Sequence, residues 1–312
     1  MSSCMQTCKD FSYKTKGAAV LLLLTCVSLP LVLVLSNISV DDAHNSEMFH
    51  IEANHSEMFH IEANHIPLAL GLVFHDAMDG LDGCININAP ENRNIVELVD
   101  TLDEKYPNLT RVDKWVLAGN NAVRAVLTDT TEQERLVYAT GRIQSRECNT
   151  TSNLDSEASW PHFVTKFRMY GMTEAEMVAL MAVHGMFGAH KNVSGYSGQW
   201  VIDPPSVVTS EYYRYLRDFT YRKTVERNRT QFRRVTDDGL NTDYLMLSSE
   251  ITMYYASVND IVSPNCPKNA LFATYVEEFA RDSHSLETAF VTAWNKMTRV
   301  LDVRDPTQLP TP

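Results

Sequence analysis

The hydrophobic pattern predicts a helical protein preceded by one unusually apolar run. Residues 18–35 (AAVLLLLTCVSLPLVLVL) carry no charge at all. Further along, LALGLVFHDAMDG (68–80) predicts a short amphipathic helix that delivers His75 and Asp76 and has a glycine, Gly71, one turn before the histidine. IVELVDTL places Ile95, Leu98, Val99 and Leu102 on one stripe, and Pro107 closes that element. TEAEMVALMAVHG opens with Thr173 and Glu176 at capping-box spacing, puts Met177, Leu180, Met181 and His184 on one helical face, and stops at Gly185. LETAFVTAWNKMTRVL repeats the rhythm with Leu286, Phe290, Trp294, Met297 and Leu301. Few segments show a period of two. The fold class read from the pattern is mainly α.

The apolar run divides the chain. Its length is near the minimum for a bilayer span, and Lys9, Lys14 and Lys16 before it predict a cytoplasmic N-terminus. A cleaved signal peptide is the alternative, with Val34 and Ser36 as the small-residue pair at the cleavage site. Either reading puts the remainder of the chain in the lumen or outside the cell, membrane-anchored or secreted. Six N-x-S/T acceptors, at Asn37, Asn54, Asn108, Asn149, Asn192 and Asn228, agree with that side and with a glycoprotein. The expected organisation is a cytoplasmic segment (1–17), an anchor or signal (18–36), a lumenal spacer (37–65), one domain (66–301) and a tail (302–312).

The spacer contains SEMFHIEANH twice, at 46–55 and 56–65, and two copies are too few for a solenoid. His50, His55, His60 and His65 are five residues apart, about 140° on a helix, so they do not share a metal-binding face. Of six cysteines, only Cys84, Cys148 and Cys266 lie beyond the apolar run, which allows one disulfide among them and leaves one thiol; spacing does not choose the pair.

Composition narrows the function. The chain has 312 residues, 44 % hydrophobic and 21 % charged, enough for one large domain or two modest ones. A formal net charge of −12 argues against a nucleic-acid surface. A run from Arg214 to Arg234, dense in Arg and Lys with interleaved tyrosines, reads as a solvated helix and loop, with an anionic-substrate groove as the alternative.

His75 and His184 each fall on an apolar helical face. Either alone fits a hydrogen-bonded core histidine; together they suggest a cofactor held between two helices. There is no Cys-x-x-Cys-His run for covalent haem, no H-E-x-x-H for catalytic zinc and no Gly-rich phosphate loop. Non-covalent haem with one histidine ligand survives the elimination.

The motifs LVFHDA (72–77), NAPEN (88–92), VDKWVLAGNNAV (112–123), MVALMAVHGMFG (177–188), SGYSGQW (194–200), EYYRYL (211–216), LMLSSE (245–250) and FVTAWNKM (290–297) appear in the order found in plant-type haem peroxidases. The chain resembles especially the branch of ascorbate and cytochrome c peroxidases and their animal relatives, over residues 66–301. The resemblance implies the haem peroxidase fold, with non-covalent haem b between distal and proximal helical halves. It makes His75 the distal acid–base residue, Phe74 the ring beside it, and Asn92 the acceptor that fixes the His75 tautomer. It makes His184 the iron ligand, Trp200 the proximal tryptophan sixteen residues on, and Glu250 the counterpart of the proximal aspartate, one methylene longer. Hydrogen peroxide and a small-molecule or protein electron donor are the implied partners; no ascorbate site is transferred, because no motif secures its contacts.

Several positions depart from the family. An arginine stands four residues before the distal histidine in the family, where it stabilises charge on the departing oxygen; here Gly71 offers no donor. Losing one preorganised donor costs about 10²–10³ in rate. A positioned acid–base group contributes roughly 10²–10⁴. The expectation is therefore a weakened peroxidase that still turns over, with a haem-binding pseudoperoxidase acting as sensor or interaction module as the alternative. Ala77 and Asp82 stand where the secreted plant branch has cysteines, so its short distal disulfide is absent. Gly185 replaces a threonine that helps hold a structural cation, which puts that cation site in doubt.

Overall fold

The computed structural model of the chain describes residues 61–89, 92, 94–148, 157–204 and 206–300. The apolar run, His50, His55 and His60, the acceptors Asn37, Asn54 and Asn149, Leu301 and the tail lie outside the described residues. Among the described residues no helix is long and apolar enough to cross a membrane.

Helix α1 (Ile66–Asp79) starts with Pro67 in its first turn, where a missing N–H costs nothing, and ends at Gly80, whose φ of +126° reverses the chain. A short 3₁₀ turn (Ala63–His65) leads into it, and Ile61 is already buried in the core, so packing begins inside the second decapeptide. Helix α2 (Ile95–Lys105) buries Ile95, Leu98 and Leu102, the stripe read from the sequence, and stops before Pro107.

Helix α3 (Arg111–Val126) is capped by the Thr110 hydroxyl, which accepts from the Asp113 N–H, and is buried along most of its length. A Cβ on Gly119 would stand 2.6 Å from Val73 and 2.8 Å from Trp294. Only glycine lets α1 and the last helix approach α3 this closely. Helices α4 (Thr130–Glu134), α5 (Trp160–Arg168) and α6 (Glu174–Leu180) come next. Helix α6 has the expected capping box, with Thr173 and Glu176 bonding each other's backbone N–H.

The helix carrying His184 differs from expectation. α6 ends at Leu180 and the chain tightens into a 3₁₀ turn, Met181–Met186, so His184 is on that turn and not on the α-helical stripe of Met177. Gly185 explains the tight approach, since a Cβ there would come within 2.7 Å of Tyr212. Helix α7 (Glu211–Asp218), which carries Tyr212, therefore presses directly on the turn.

The basic run holds a second difference. After α7 the chain forms β3 (Tyr221–Glu226), β4 (Arg229–Thr236) and β5 (Gly239–Met246), antiparallel neighbours in a sheet ordered β1-β2-β5-β4-β3-β6. The outer strands are short: β1 (Gly188–Ala189), β2 (Gly198–Gln199) and β6 (Ile261–Val262). Arg233 is buried, with its guanidinium on the Glu226 carboxylate, Ser197 O and Thr242 O. The expected helix is the end of α7, which holds Arg214 and Arg217, whereas the expected loop is paired strand, with Arg233 matched by Glu226.

Helices α8 (Ser248–Tyr254), α9 (Ala273–Phe279) and α10 (Ser283–Met297) complete the chain. Leu286, Phe290, Trp294 and Met297 are all buried on α10 as expected, and Trp294 Nε1 donates to Asn120 Oδ1 at 2.7 Å. Helices dominate, so the mainly α class stands, with a sheet that the apolar pattern did not announce.

Candidate functional site

His75 lies on α1 beside a half-buried Phe74, their rings edge to face at 6.1 Å. Its Nδ1 is 2.5 Å from Asn92 Oδ1. Asn92 Nδ2 in turn donates to Asn86 O at 2.8 Å, which fixes the amide with its oxygen toward His75. A carbonyl oxygen only accepts, so His75 Nδ1 carries the proton of this bond.

The residue after His75 is also constrained. Asp76 is fully buried and accepts backbone N–H bonds from Asp82, Gly83 and Cys84 at 3.0–3.1 Å. Burial pushes its carboxyl up to about 7, against the opposing pull of those three donors. The loop it ties is also closed by a disulfide between Cys84 and Cys148. Cys266 is disulfide-bonded as well, so the expectation of a leftover thiol does not hold. Ala77 and Asp82 take no part in a distal disulfide.

On the other side, His184 Nδ1 lies 2.5 Å from Glu250 Oε1, and Glu250 Oε2 accepts the Leu247 N–H. The Glu250 side chain is 0 % exposed, while that of His184 is 34 % exposed. One edge of the imidazole is therefore anchored in the core and the other is open. Trp200 stacks on His184 with ring centroids 4.5 Å apart and planes 23° from parallel. Its buried Nε1 meets no hydrogen-bond partner among the described residues. Tyr212 approaches His184 edge-on at 6.5 Å, and burial, with the Glu250 charge nearby, raises its phenol well above the usual range.

Two hollows meet here. One of about 180 Å³ is lined by both His75 and His184, with Phe74, Met181, Leu247 and Trp294 among its apolar walls. The other, about 680 Å³, is lined by His75 and Trp200 and opens between Leu68, Ile95 and His190. Pro67, Gly71, His75 and Phe187 line both. Gly71 faces open space, since a Cβ there would meet nothing within 4 Å. Among the described residues no cluster of three or more His, Cys, Asp or Glu could hold a metal ion.

Of the six residues named from the sequence, Phe74, His75, His184 and Trp200 line the two hollows, and Asn92 and Glu250 stand behind the histidines at Nδ1. Sequence reasoning gave no role to Asn86, outside any motif, or to Tyr212 and Leu247, which lie within EYYRYL and LMLSSE and act through packing and backbone contacts.

Two histidines, each tied at Nδ1 to an acceptor, line one hollow of about 180 Å³, and His75 also lines the adjoining hollow of about 680 Å³, a volume within the roughly 300–1,000 Å³ of cofactor sites. The donor set fits a haem: one edge of the His184 ring is exposed, and its Nδ1 is tied to a buried carboxylate. A sequence profile of the peroxidase family matches residues 51–281, and the chain belongs to that family, the plant-type haem peroxidases. It is 26 % identical over 205 residues to a mitochondrial cytochrome c peroxidase of Aspergillus fumigatus, covering 64 % of this chain and 50 % of that protein. It is 27 % identical over 155 residues to L-ascorbate peroxidase 3 of Arabidopsis thaliana, covering 44 % and 52 %. A Candida albicans protein whose name describes a heme-binding peroxidase is 24 % identical over 170 residues, covering 51 % and 56 %. The chain spans about half the length of these curated relatives.

Proposed function

We propose that the protein is a haem peroxidase that reduces hydrogen peroxide at the expense of a small or protein reductant, with turnover slowed by Gly71. The observation that carries the reading is the pair of fixed tautomers, His75 on Asn92 and His184 on Glu250, bordering one cavity. His184 would hold non-covalent haem b through Nε2, and Phe74 and Trp200 would flank it. Haem, when bound, supplies the redox iron that accepts electrons from the reductant and delivers them to peroxide.

The chain's residues divide the remaining work. His75 Nε2 takes a proton from peroxide and returns it to the departing oxygen, while Asn92 keeps the second ring proton in place on Nδ1. Glu250 accepts from His184 Nδ1 and gives the ligand nitrogen more basic character. Gly71 leaves the departing oxygen without a cationic donor, which supports a rate about 10²–10³ below that of an arginine-bearing site. The same glycine favours the second reading, a haem-binding sensor without turnover.

The Cys84–Cys148 disulfide and the exposed acceptors Asn108, Asn192 and Asn228 support a glycosylated domain in a lumenal or extracellular compartment, held by the N-terminal segment or released from it. The test is optical. The full chain supplied with haem is expected to give a high-spin ferric spectrum that His184→Ala loses; an unchanged spectrum in that variant refutes the ligand assignment. Gly71→Arg, which has room to fit, is expected to speed peroxide consumption at least about tenfold. No gain would favour the sensor reading.

A further inference from the structure

Away from the two histidines, one cluster combines two sulfurs, a fixed cation and the backbone that supports α1. Cys84 is buried and Cys148 is exposed, and their bond ties positions 64 residues apart. Arg111, the first residue of α3, reaches across this bond. Its Nε donates to Gly83 O and one terminal nitrogen donates to Ser145 O at 3.2 Å. That same nitrogen lies 3.1 Å from Cys148 Sγ and 3.5 Å from Cys84 Sγ. Gly83, at φ +79°, makes room, since a Cβ there would stand 3.2 Å from Arg111 Nε.

Every hydrogen-bond partner of this guanidinium among the described residues is a carbonyl or a sulfur, so no carboxylate neutralises it. A fixed cation beside a sulfur stabilises thiolate and so favours the dithiol form of a disulfide. The other nearby charges separate the two cysteines. The carboxylates of Asp76 and Asp82 both accept the Cys84 N–H, which disfavours a lasting thiolate on Cys84. Cys148 is preceded by exposed Arg146 and Glu147, which offset each other.

We propose that Cys84–Cys148 is a thiol-exchange site at which a small aliphatic thiol attacks Cys148, with Arg111 stabilising the thiolate released. Haem takes no part in this chemistry. An incoming thiolate forms a bond to Cys148 Sγ as the Cys84–Cys148 bond breaks, and Cys84 leaves with the electron pair. A second thiol, having lost its proton to solvent, attacks the outer sulfur of the mixed disulfide. The small thiol departs as its own disulfide, Cys148 remains as thiolate beside Arg111, and Cys84 takes up a proton. Two small thiols are oxidised and one protein disulfide is reduced. Burial of Cys84 directs the attack to Cys148. Because Gly83 and Cys84 also donate their N–H groups to Asp76, opening the bond loosens the loop beneath His75.

The test uses the full chain in glutathione redox buffers, with iodoacetamide trapping and mass analysis of the Cys84 and Cys148 peptides. A glutathione adduct is expected on Cys148, and Arg111→Gln is expected to need about tenfold more reduced glutathione for half-reduction. Arg111→Lys, which keeps the charge, should return within about threefold of the original. An adduct on Cys84, reduction only in unfolding urea, or equal midpoints for the original and the Gln variant overturns the proposal. Should Arg111→Gln not fold, the original chain decides. After reduction, native Cys148 should alkylate several times faster at pH 7 than in urea, and an equal or slower rate overturns the proposal.

Discussion

Glu250→Gln isolates the carboxylate beneath His184 while keeping its volume. Glu250 accepts two bonds from inside the core, from His184 Nδ1 through Oε1 and from Leu247 N–H through Oε2. A glutamine offers one oxygen and one NH₂, so one of the two buried donors then faces another donor. Leaving a buried donor unmatched costs about 1–3 kcal/mol. For a domain of this size each kcal/mol lowers the melting temperature by roughly 2–4 °C, so the haem-free protein should melt about 2–12 °C lower. Loss of the supporting carboxylate should also weaken haem binding by about 10–100-fold, the usual cost of removing such a partner from a metal ligand. The assays are a thermal melt of the haem-free chain and a haem titration followed by absorbance. An unchanged melt together with haem affinity within about twofold would refute the reasoning, because the 2.5 Å contact would then be doing neither job.

Particular contacts set four further outcomes. Asn92→Ala removes the acceptor that fixes His75 and should slow peroxide consumption by about tenfold or more in stopped flow while leaving the haem spectrum in place. Trp200→Phe preserves the stack on His184 and forfeits no hydrogen bond, so haem affinity should stay within about threefold by absorbance titration. Gly185→Thr forces a Cβ to within 2.7 Å of Tyr212 and should cost about 1–3 kcal/mol in urea unfolding. Asp76 has a folded pKa raised to about 7, so the native state binds the proton more tightly; its contribution to stability is full in acid and declines as pH rises from about 4 to about 7. Relative to Asp76→Asn, whose amide does not titrate, the urea midpoint of the original chain should fall as pH rises across that range, and parallel curves would contradict the assignment.

The helical half of the molecule was legible because its stripes are long and its stop signals are strong. Thr173 with Glu176 at a helix start and Pro107 beyond a helix end act locally, and tertiary packing did not override them. The sheet was not legible for the opposite reason. In β3 and β5 most residues face solvent, so no apolar alternation marks them, and Arg233 enters the core as a cation matched by Glu226. The usable signal lay in the turns: Arg227 and Asn228 at positive φ, and Gly239 after two aspartates, are short hairpin connections. The His184 turn was misread because the sequence shows a glycine but not the tyrosine pressing on it from α7.

The site itself was legible one residue at a time, whereas what makes it chemically specific is an arrangement of acceptors. Asn92 and Glu250 come from unrelated segments, yet each places an oxygen that can only accept against the Nδ1 of a histidine. Both imidazoles therefore turn Nε2 away from their anchors, and both line the same hollow. Under the proposed function, the anchors differ in charge as the two roles require. In that reading a neutral amide adds no charge beside His75, which suits an acid–base group. A buried carboxylate makes His184 a stronger donor, as a metal ligand must be. Exchanging the anchors by combining Asn92→Asp with Glu250→Gln should accordingly weaken haem binding and hold His75 protonated to higher pH. The peroxide reaction should then require more alkaline conditions than in the original chain, and an unshifted pH profile in the double variant would show that charge at Nδ1 does not set the two roles.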